Sequence, residues 1–334
     1  MVSRREVVIA LGASALAAPL ASLAQQPGKV ARVGWLEWTG EGHFSDVTSK
    51  AFVDGLRAHG FSEGGNLVLE RRVASGDLQR LKAQAKELAA LKVDVLFTPS
   101  KAATDAAWYA DRSIPTVIAT VTDPVAVDYA VSLARPGKHI TGVTTASAEL
   151  TGKRLQLLSE AVPGAKRIAA LYDKTLYDSC QEELKQFRLA AKKLGIALVE
   201  IPVSNLAAGL TDLEPAFRRI VEAKAQAVIM PLFTSVSGFS PEFARLALKY
   251  RLPTMHEIDY FTEVGGLLTY GPDFADIYRR AAGYVARILK GEKPANMAIE
   301  EPRQFKFTVN LKTARALGIT IPQAVLLRAD EVIG

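Results

Sequence analysis

The sequence predicts an α/β protein of two similar lobes, each a doubly wound parallel sheet with helices on both faces. Three observations predict it. Short β-branched runs alternate with amphipathic stretches from Val30 onward, and regular alternation of strand and helix builds parallel sheets covered on both sides. A pattern in the first half returns in the second: Val95-Leu96-Phe97-Thr98-Pro99, a helical stretch and Ile114-Pro115-Thr116 match Ala227-Val228-Ile229-Met230-Pro231, a helical stretch and Leu252-Pro253-Thr254, at offsets of 132 and 138 residues. The chain is also long enough, since 334 residues with 49% apolar and 23% charged side chains fill two cores and exclude a disordered polymer.

Each element arises from its local pattern. Residues 32–36 read as a first strand, 48–59 as a helix closed by Gly60, and 67–72 as a second strand. Helix 77–91 leads to strand 93–98, helix 102–110, strand 116–120 and an extended stretch at 140–143. The second series runs helix 149–161, strand 167–172, helix 179–194, strand 197–201, helix 210–223, strand 227–230, helix 241–250 and strand 254–257. After 265–271 comes a long helix at 273–289, then a tail with a strand near 305–309 and a helix at 311–317 that belongs to neither series. A chain that crosses back in this way ties two lobes by several linkers, which permits hinge closure.

The amino terminus reads as a secretory signal peptide over residues 1–24. Arg4-Arg5 precedes an apolar stretch from Val7 to Leu23 and the small residues before Gln25, which places cleavage after Ala24 and the protein in the periplasm. Ser3-Arg4-Arg5-Glu6-Val7-Val8 also resembles a twin-arginine signal, so both export routes stay open. No cysteine lies near the cleavage point to take a lipid anchor, and no later apolar run reaches the roughly 18 residues of a membrane span.

The same arithmetic removes several chemistries. The net charge is +6, but basic pairs such as Lys192-Lys193, Arg218-Arg219 and Arg279-Arg280 are spread over separate helices, so no nucleic-acid surface is expected. One cysteine, Cys180, excludes an internal disulfide, and the histidines at 43, 59, 139 and 256 have no ligand-spaced partners, so neither metal nor other cofactor is expected. There is no Gly-x-Ser-x-Gly elbow and no phosphate loop ending in Gly-Lys-Ser/Thr. The Gly40-Glu41-Gly42-His43-Phe44-Ser45 loop falls short of a dinucleotide fingerprint, because Glu37-Trp38-Thr39 separate it from the strand and Ser45 replaces the third glycine.

Open α/β sheets bind ligands beyond the carboxyl ends of their strands. In the first lobe the residues at those places are Trp35, Glu37, Trp38 and Thr39, then Ser100 and Lys101, then Thr122 and Asp123. The second lobe offers Tyr172 and Asp173, Phe233 and Thr234, Glu257 and Asp259, with Tyr270 at the crossing. Aromatic rings beside hydroxyls and both signs of charge suit a small carboxylated or zwitterionic molecule with an apolar body. Each of these residues has a plainer alternative as a cap, a surface group or, for Trp38 and Phe233, a core side chain.

The chain resembles the bacterial ABC transporter substrate-binding proteins that include binders of tryptophan and other aromatic amino acids. The resemblance runs from about Arg32 to Val332 and rests on Ala51-Phe52-Val53-Asp54-Gly55-Leu56, Asp123-Pro124-Val125, Ser132-Leu133-Ala134-Arg135-Pro136-Gly137, Ile140-Thr141-Gly142-Val143 and Gly152-Lys153-Arg154-Leu155. Towards the end it rests on Tyr270-Gly271-Pro272, Arg279-Arg280-Ala281-Ala282, Leu289-Lys290-Gly291-Glu292-Lys293-Pro294, the run from Asn310 to Gly318, and Leu327-Arg328-Ala329-Asp330-Glu331-Val332-Ile333. It implies the type I periplasmic-binding fold, with three crossings between the lobes. It also implies a monomeric, non-enzymatic carrier that hands a small molecule to a membrane permease and its ATPase. On that fold residues 30–145 and 272–300 form lobe 1, and 146–271 and 301–334 form lobe 2.

Two departures bear on the ligand. Ser100-Lys101 stands where the family commonly has Gly-Thr, and Lys138-His139 where it has Gly-Asn. A lysine at a helix start, where free N–H groups already favour anions, is expected to strengthen carboxylate binding. The competing readings are a periplasmic oxidoreductase exported folded with its cofactor, and a ligand-sensing module for a membrane receptor.

Overall fold

The structure is a computed structural model whose described residues are 30–38, 43–145, 147–174, 177–204, 212–230 and 240–334. The expected signal peptide and the glycine loop at 40–42 lie outside them. Residues from Ala31 to the end form one compact unit.

The first half contributes strands β1 (Ala31–Glu37), β2 (Leu67–Val73), β3 (Val95–Thr98), β4 (Thr116–Val121) and β5 (Ile140–Thr144). Between them run helices α1 (His43–Ala58), α2 (Leu78–Ala90) and α3 (Lys101–Ala110). The sheet order is β2-β1-β3-β4-β5, every pair parallel. The central strands are buried on both faces, as an all-parallel sheet demands, so they read as continuous apolar runs.

The second half repeats the plan. Helix α4 (Ser147–Ala161) precedes β6 (Arg167–Asp173), α5 (Tyr177–Leu194), β7 (Ala197–Val203), α6 (Leu213–Glu222), β8 (Ala227–Ile229), α7 (Ser240–Lys249) and β9 (Thr254–His256). A short α8 (Tyr260–Glu263) then leads to β10 (Leu268–Pro272). Strands β7-β6-β8-β9-β10 lie in the same order as the first five. The repeated strings fall on β3 with β4 and on β8 with β9, which are equivalent places in the two sheets.

Beyond β10 the repeat ends. Helix α9 (Phe274–Leu289) packs on α1, and its Ile277, Tyr278 and Ala281 join Trp35, Phe52 and Phe97 in one core. Gly55 makes that approach possible, because a Cβ there would stand 2.8 Å from Ala282 Cβ and 2.9 Å from the Arg279 carbonyl. The tail then returns as β11 (Phe305–Asn310), α10 (Leu311–Leu317), α11 (Gln323–Leu326) and β12 (Glu331–Ile333). Strand β11 pairs antiparallel with β10, and β12 parallel with β11, so the second sheet has seven strands and is parallel except at one ladder. The chain therefore passes between the sheets three times, after β5, after β10 and before β11. The first and third passes run side by side, with Thr144 N–H donating to the Glu300 carbonyl (2.8 Å) and Glu300 N–H to that of Gly142 (2.9 Å).

Each sheet has a core on either face, which is the doubly wound arrangement. In the first, the Trp35–Phe52–Phe97 core lies on one side and a cluster of Leu36, Leu81, Leu88 and Leu96 on the other. In the second, Leu155, Leu158 and Phe187 from α4 and α5 cover one face, and Phe217 and Phe243 from α6 and α7 the other. Among the described residues no helix is long and apolar enough to cross a membrane.

Candidate functional site

Parallel order sends the carboxyl ends of β1, β3, β4 and β5 to one edge of the first sheet, and those of β6, β8 and β9 to one edge of the second. Ile258 and Tyr260, just past β9, pack against the core of the first lobe, so the two lobes touch beside this edge.

At the end of β1 the Glu37 carboxylate is buried. It accepts from Arg71 Nη2 (2.7 Å) and Ser45 Oγ (3.1 Å). Burial pushes its carboxyl above the usual range, although the Arg71 guanidinium beside it acts the other way. The ladder that sets Trp35 opposite Arg71 also lays the guanidinium over the indole, 4.6 Å from the ring centroid. Trp35 is not at the sheet edge: it is 1% exposed and meets Phe52 and Phe97 edge-on at 4.9 and 5.2 Å. Its place along the strand turns its side chain into the core under α1. Trp38 is likewise core, packed with Leu36, Leu81 and Ala85. Thr39 lies outside the described residues.

After β3, Ser100 caps α3 by accepting from Ala103 N–H (3.2 Å). Lys101 does open the helix, but its Nζ donates to Asp105 Oδ2 at 2.7 Å, one turn on. Asp105 also accepts from the Tyr129 hydroxyl. The ammonium expected to await a carboxylate is therefore already neutralised within its own helix. The Lys138-His139 departure belongs to the same patch, for His139 stacks on Trp108 at 4.8 Å and Trp108 meets Tyr129 at 5.6 Å. After β4, Asp123 accepts from Val125 and Ala126 N–H at 3.1 and 2.9 Å, which is a turn cap, while the Thr122 hydroxyl is buried without a partner. Thr144 and Thr145, leaving β5 for the first crossing, also bury hydroxyls without partners.

The second lobe presents Asp173, buried at the end of β6, beside half-buried Tyr172. Phe233 and Thr234 lie outside the described residues. Asp259 caps α8, accepting from Tyr260 N–H at 2.9 Å. Tyr270 is half-buried and stands edge-on to Phe307 at 6.3 Å. Gly271 passes so close to the end of β9 that a Cβ would stand 2.0 Å from the Glu257 carbonyl.

Glu257 is the centre of the densest polar cluster at either edge. Arg154 Nη1 donates to its Oε2, and the Ser147 hydroxyl meets the same oxygen. Arg154 Nη2 reaches the Ser147 carbonyl (2.5 Å), the Ser147 hydroxyl (2.9 Å) and Glu183 Oε1 (3.2 Å). The side chains of Arg154, Glu183 and Glu257 are all fully buried. Glu257 Oε1 has no partner. Neighbouring His256 accepts from Ile258 N–H at 3.0 Å through Nδ1, and burial, aided by the nearby Arg154 charge, lowers its imidazole to about 3. His256 is therefore neutral at physiological pH.

Arg154, Ser147, Glu183, Thr144 and Thr145 were not anticipated as site residues. For Arg154 a signal existed. Residues 147, 151, 154 and 158 keep helical spacing, so Arg154 shares the buried face of α4 with Leu158, and a charge in phase with an apolar stripe needs a partner. Glu183 stands likewise on the face of Phe187. Among the described residues no group of three histidine, cysteine or acidic side chains is placed to hold a metal ion.

Comparison with known proteins agrees with this architecture. The model of the family described as ABC transporter substrate binding protein matches residues 41–333. A curated relative, the tyrosine-binding protein of Clostridioides difficile, is 23% identical over 272 residues, 81% of this chain and 76% of that one. A conserved domain protein of Vibrio cholerae superposes with a TM-score of 0.84 at 28% identity, over 91% of this chain and 100% of that structure. The ABC domain of Streptococcus pneumoniae in complex with L-Trp superposes at 0.82 and 24% identity, over 91% and 99%. With its two doubly wound lobes and a family match over almost the whole of them, the chain belongs to the ABC transporter substrate-binding protein family.

Proposed function

We propose that the chain is the exported, non-enzymatic binding component of an ABC importer. It takes a small carboxylated or amino-acid-like ligand, aromatic ones included, between its two lobes and closes on it by a hinge. The observation that carries this reading is the set of buried polar atoms without partners at the carboxyl ends of both sheets: the hydroxyls of Thr122, Thr144 and Thr145 on one and Glu257 Oε1 on the other. Buried polar atoms cost free energy unless they are paired, and this edge is where open α/β sheets bind ligands. The tyrosine-binding relative and the L-Trp complex support an aromatic amino acid as the ligand class. On this reading lobe 1 comprises 30–145 and 272–300, lobe 2 comprises 146–271 and 301–334, and a permease with its ATPase recognises the closed form.

A thermal-shift screen of the mature protein tests it. A ligand at 100 times its dissociation constant stabilises the native state by about 2.7 kcal/mol. For a protein of this size that moves the midpoint by several degrees, at roughly 2–4 °C per kcal/mol. Aromatic amino acids are expected to produce the shift. A response confined to nicotinamide or flavin cofactors would overturn the reading in favour of an oxidoreductase.

A further inference from the structure

The third crossing is fastened to the first lobe almost to its end. Gly137 N–H donates to the Ala295 carbonyl (3.1 Å), the Thr141 hydroxyl to that of Met297 (2.7 Å), Ile299 N–H to that of Leu133 (2.7 Å) and Glu300 N–H to that of Gly142. Met297 and Ile299 are buried in first-lobe cores. Glu300 closes the series with its side chain. Arg280 of α9 donates to its Oε2 through Nη2 and to the Glu301 carbonyl through Nη1 (3.1 Å). The Tyr284 hydroxyl, one turn further along α9, shares its hydrogen between the Ala298 carbonyl (2.5 Å) and Glu300 Oε1 (3.1 Å). Burial works to raise the Glu300 carboxyl, but Arg280 and Tyr284 outweigh it and hold the group below the usual range, so the pair with Arg280 is ionised.

Past Glu301 the fastening stops. Among the described residues the backbone of Pro302 and Arg303 makes no hydrogen bond. The next contact is the Gln304 carbonyl, which accepts from Asp273 N–H (3.2 Å) just before the β10–β11 ladder opens at Pro272 and Phe305. Proline fixes its own φ and keeps the residue before it extended, so the first bonds free to turn are ψ of Pro302 and those of Arg303. The second crossing is shorter still. Strand β10 ends at Pro272 and α9 begins at Phe274, which leaves Asp273 between them.

We infer that Arg280 makes the first and third crossings part of lobe 1 by tying Glu300 to α9, and that closure turns beyond this anchor, at Arg303, at Asp273 and between Thr144 and Ser147. The inference rests on the hinge closure proposed above and locates its axis. The first crossing is included because the Glu300 carbonyl holds the Thr144 N–H. Arginine suits the task because its planar fork reaches a carboxylate and a carbonyl at once, whereas lysine offers a point charge. Arg303 also reaches Glu300, at 2.8 Å, but from the far side of the pivot and with a side chain 74% exposed, so it follows the motion without setting it. The Arg280 side chain is 16% exposed and stands on a helix packed into the lobe.

Hydrogen exchange on the mature, ligand-free protein tests the anchor. In the wild type the Thr144 and Glu300 amides are expected to be protected like those of β1, and the Arg303 amide to exchange freely. Arg280→Ala is expected to speed exchange at Thr144 and Glu300 by about tenfold, the effect of one lost charge-assisted hydrogen bond, while β1 and β3 keep their rates. Arg303→Ala is expected to change neither amide. Unprotected Thr144 and Glu300 in the wild type, no acceleration in Arg280→Ala, the same acceleration in Arg303→Ala, or an equal one throughout the lobe each overturns the inference. The pivot is read from spin labels on Lys82→Cys of α2 and Lys193→Cys of α5, both exposed positions, in a Cys180→Ser background. Their distance distribution is expected to broaden in Arg280→Ala, where a freed crossing lengthens the turning segment, and to keep its wild-type width in Arg303→Ala. A residue serving only lobe stability leaves that width unchanged, and an unchanged width would also overturn the inference. No ligand is needed, so failure of the ligand screen and failure of this test are separate results.

Discussion

Lys101 shows how a residue's neighbours decide what its charge can do. It stands at a helix start that favours anions, yet Asp105 lies 2.7 Å from its ammonium, and the pair's field at any ligand is that of a dipole. Replacing Lys101 by alanine is expected to change ligand affinity by less than about twofold in calorimetry and stability by under roughly 0.5 kcal/mol, as most surface substitutions do. A tenfold loss would restore it to the site. His256 makes a second prediction at this scale. Its imidazole is lowered from 6.5 to about 3 in the folded protein, so below pH 6.5 the unfolded chain binds a proton that the native state does not. Its contribution to stability is complete above that pH and is lost as pH falls towards 3, by on the order of a few kcal/mol. Asparagine offers the Ile258 N–H an acceptor without titrating, so unfolding midpoints of His256→Asn measured from pH 7 to 4 are expected to fall less steeply than those of the wild type.

Among the elements, α9 has the most unusual placement, for it comes after the second sheet in sequence and covers the first in space. Its seat on α1 depends on Gly55 facing Ala282 and the Arg279 carbonyl. Valine there must push the two helices apart, and overpacking of this kind costs typically 1–3 kcal/mol. Urea unfolding of Gly55→Val is expected to show a lower midpoint, with an unfolding free energy smaller by about that amount. An unchanged midpoint would mean that the α1–α9 seam yields. The buried Arg154 network belongs to this scale as well, because it joins the start of α4, the middle of α5 and the end of β9.

For the whole molecule, the proposed importer role makes two claims that need no knowledge of the ligand. The exported protein is expected to begin after Ala24 and to carry no acyl group, which the mass of periplasmic protein checks; an intact Met1 or a lipid adduct would contradict the localisation. Changing Arg4-Arg5 to Lys-Lys halts export only if the twin-arginine route is used. Hinge closure adds a third outcome. Small-angle scattering is expected to give a smaller radius of gyration when the best ligand from the screen is bound, because closing the lobes brings mass toward the centre. An unchanged radius at saturation would argue for a rigid receptor.

Fold class and element order were legible in the sequence because both depend on local periodicity. The repeated strings at β3–β4 and β8–β9 marked the two sheets, and the family motifs marked the lineage. The carboxyl ends of the strands, where the ligand edge is proposed, were legible too, since strand ends are sequential features. Which side chains matter at that edge was not. Trp35 read as a binding aromatic and Trp38 as either a binding or a core one, and both pack in core clusters, because strand phase and the helix packed above each of them, both tertiary facts, decide which way a ring points. Arg154, Ser147, Glu183 and Glu257 are separated by up to 110 residues, and nothing local announces that they meet. Only the folding of α4, α5 and β9 against one another takes water away from all four, and it is the loss of water that turns ordinary surface chemistry into a buried network whose every hydrogen must be accounted for.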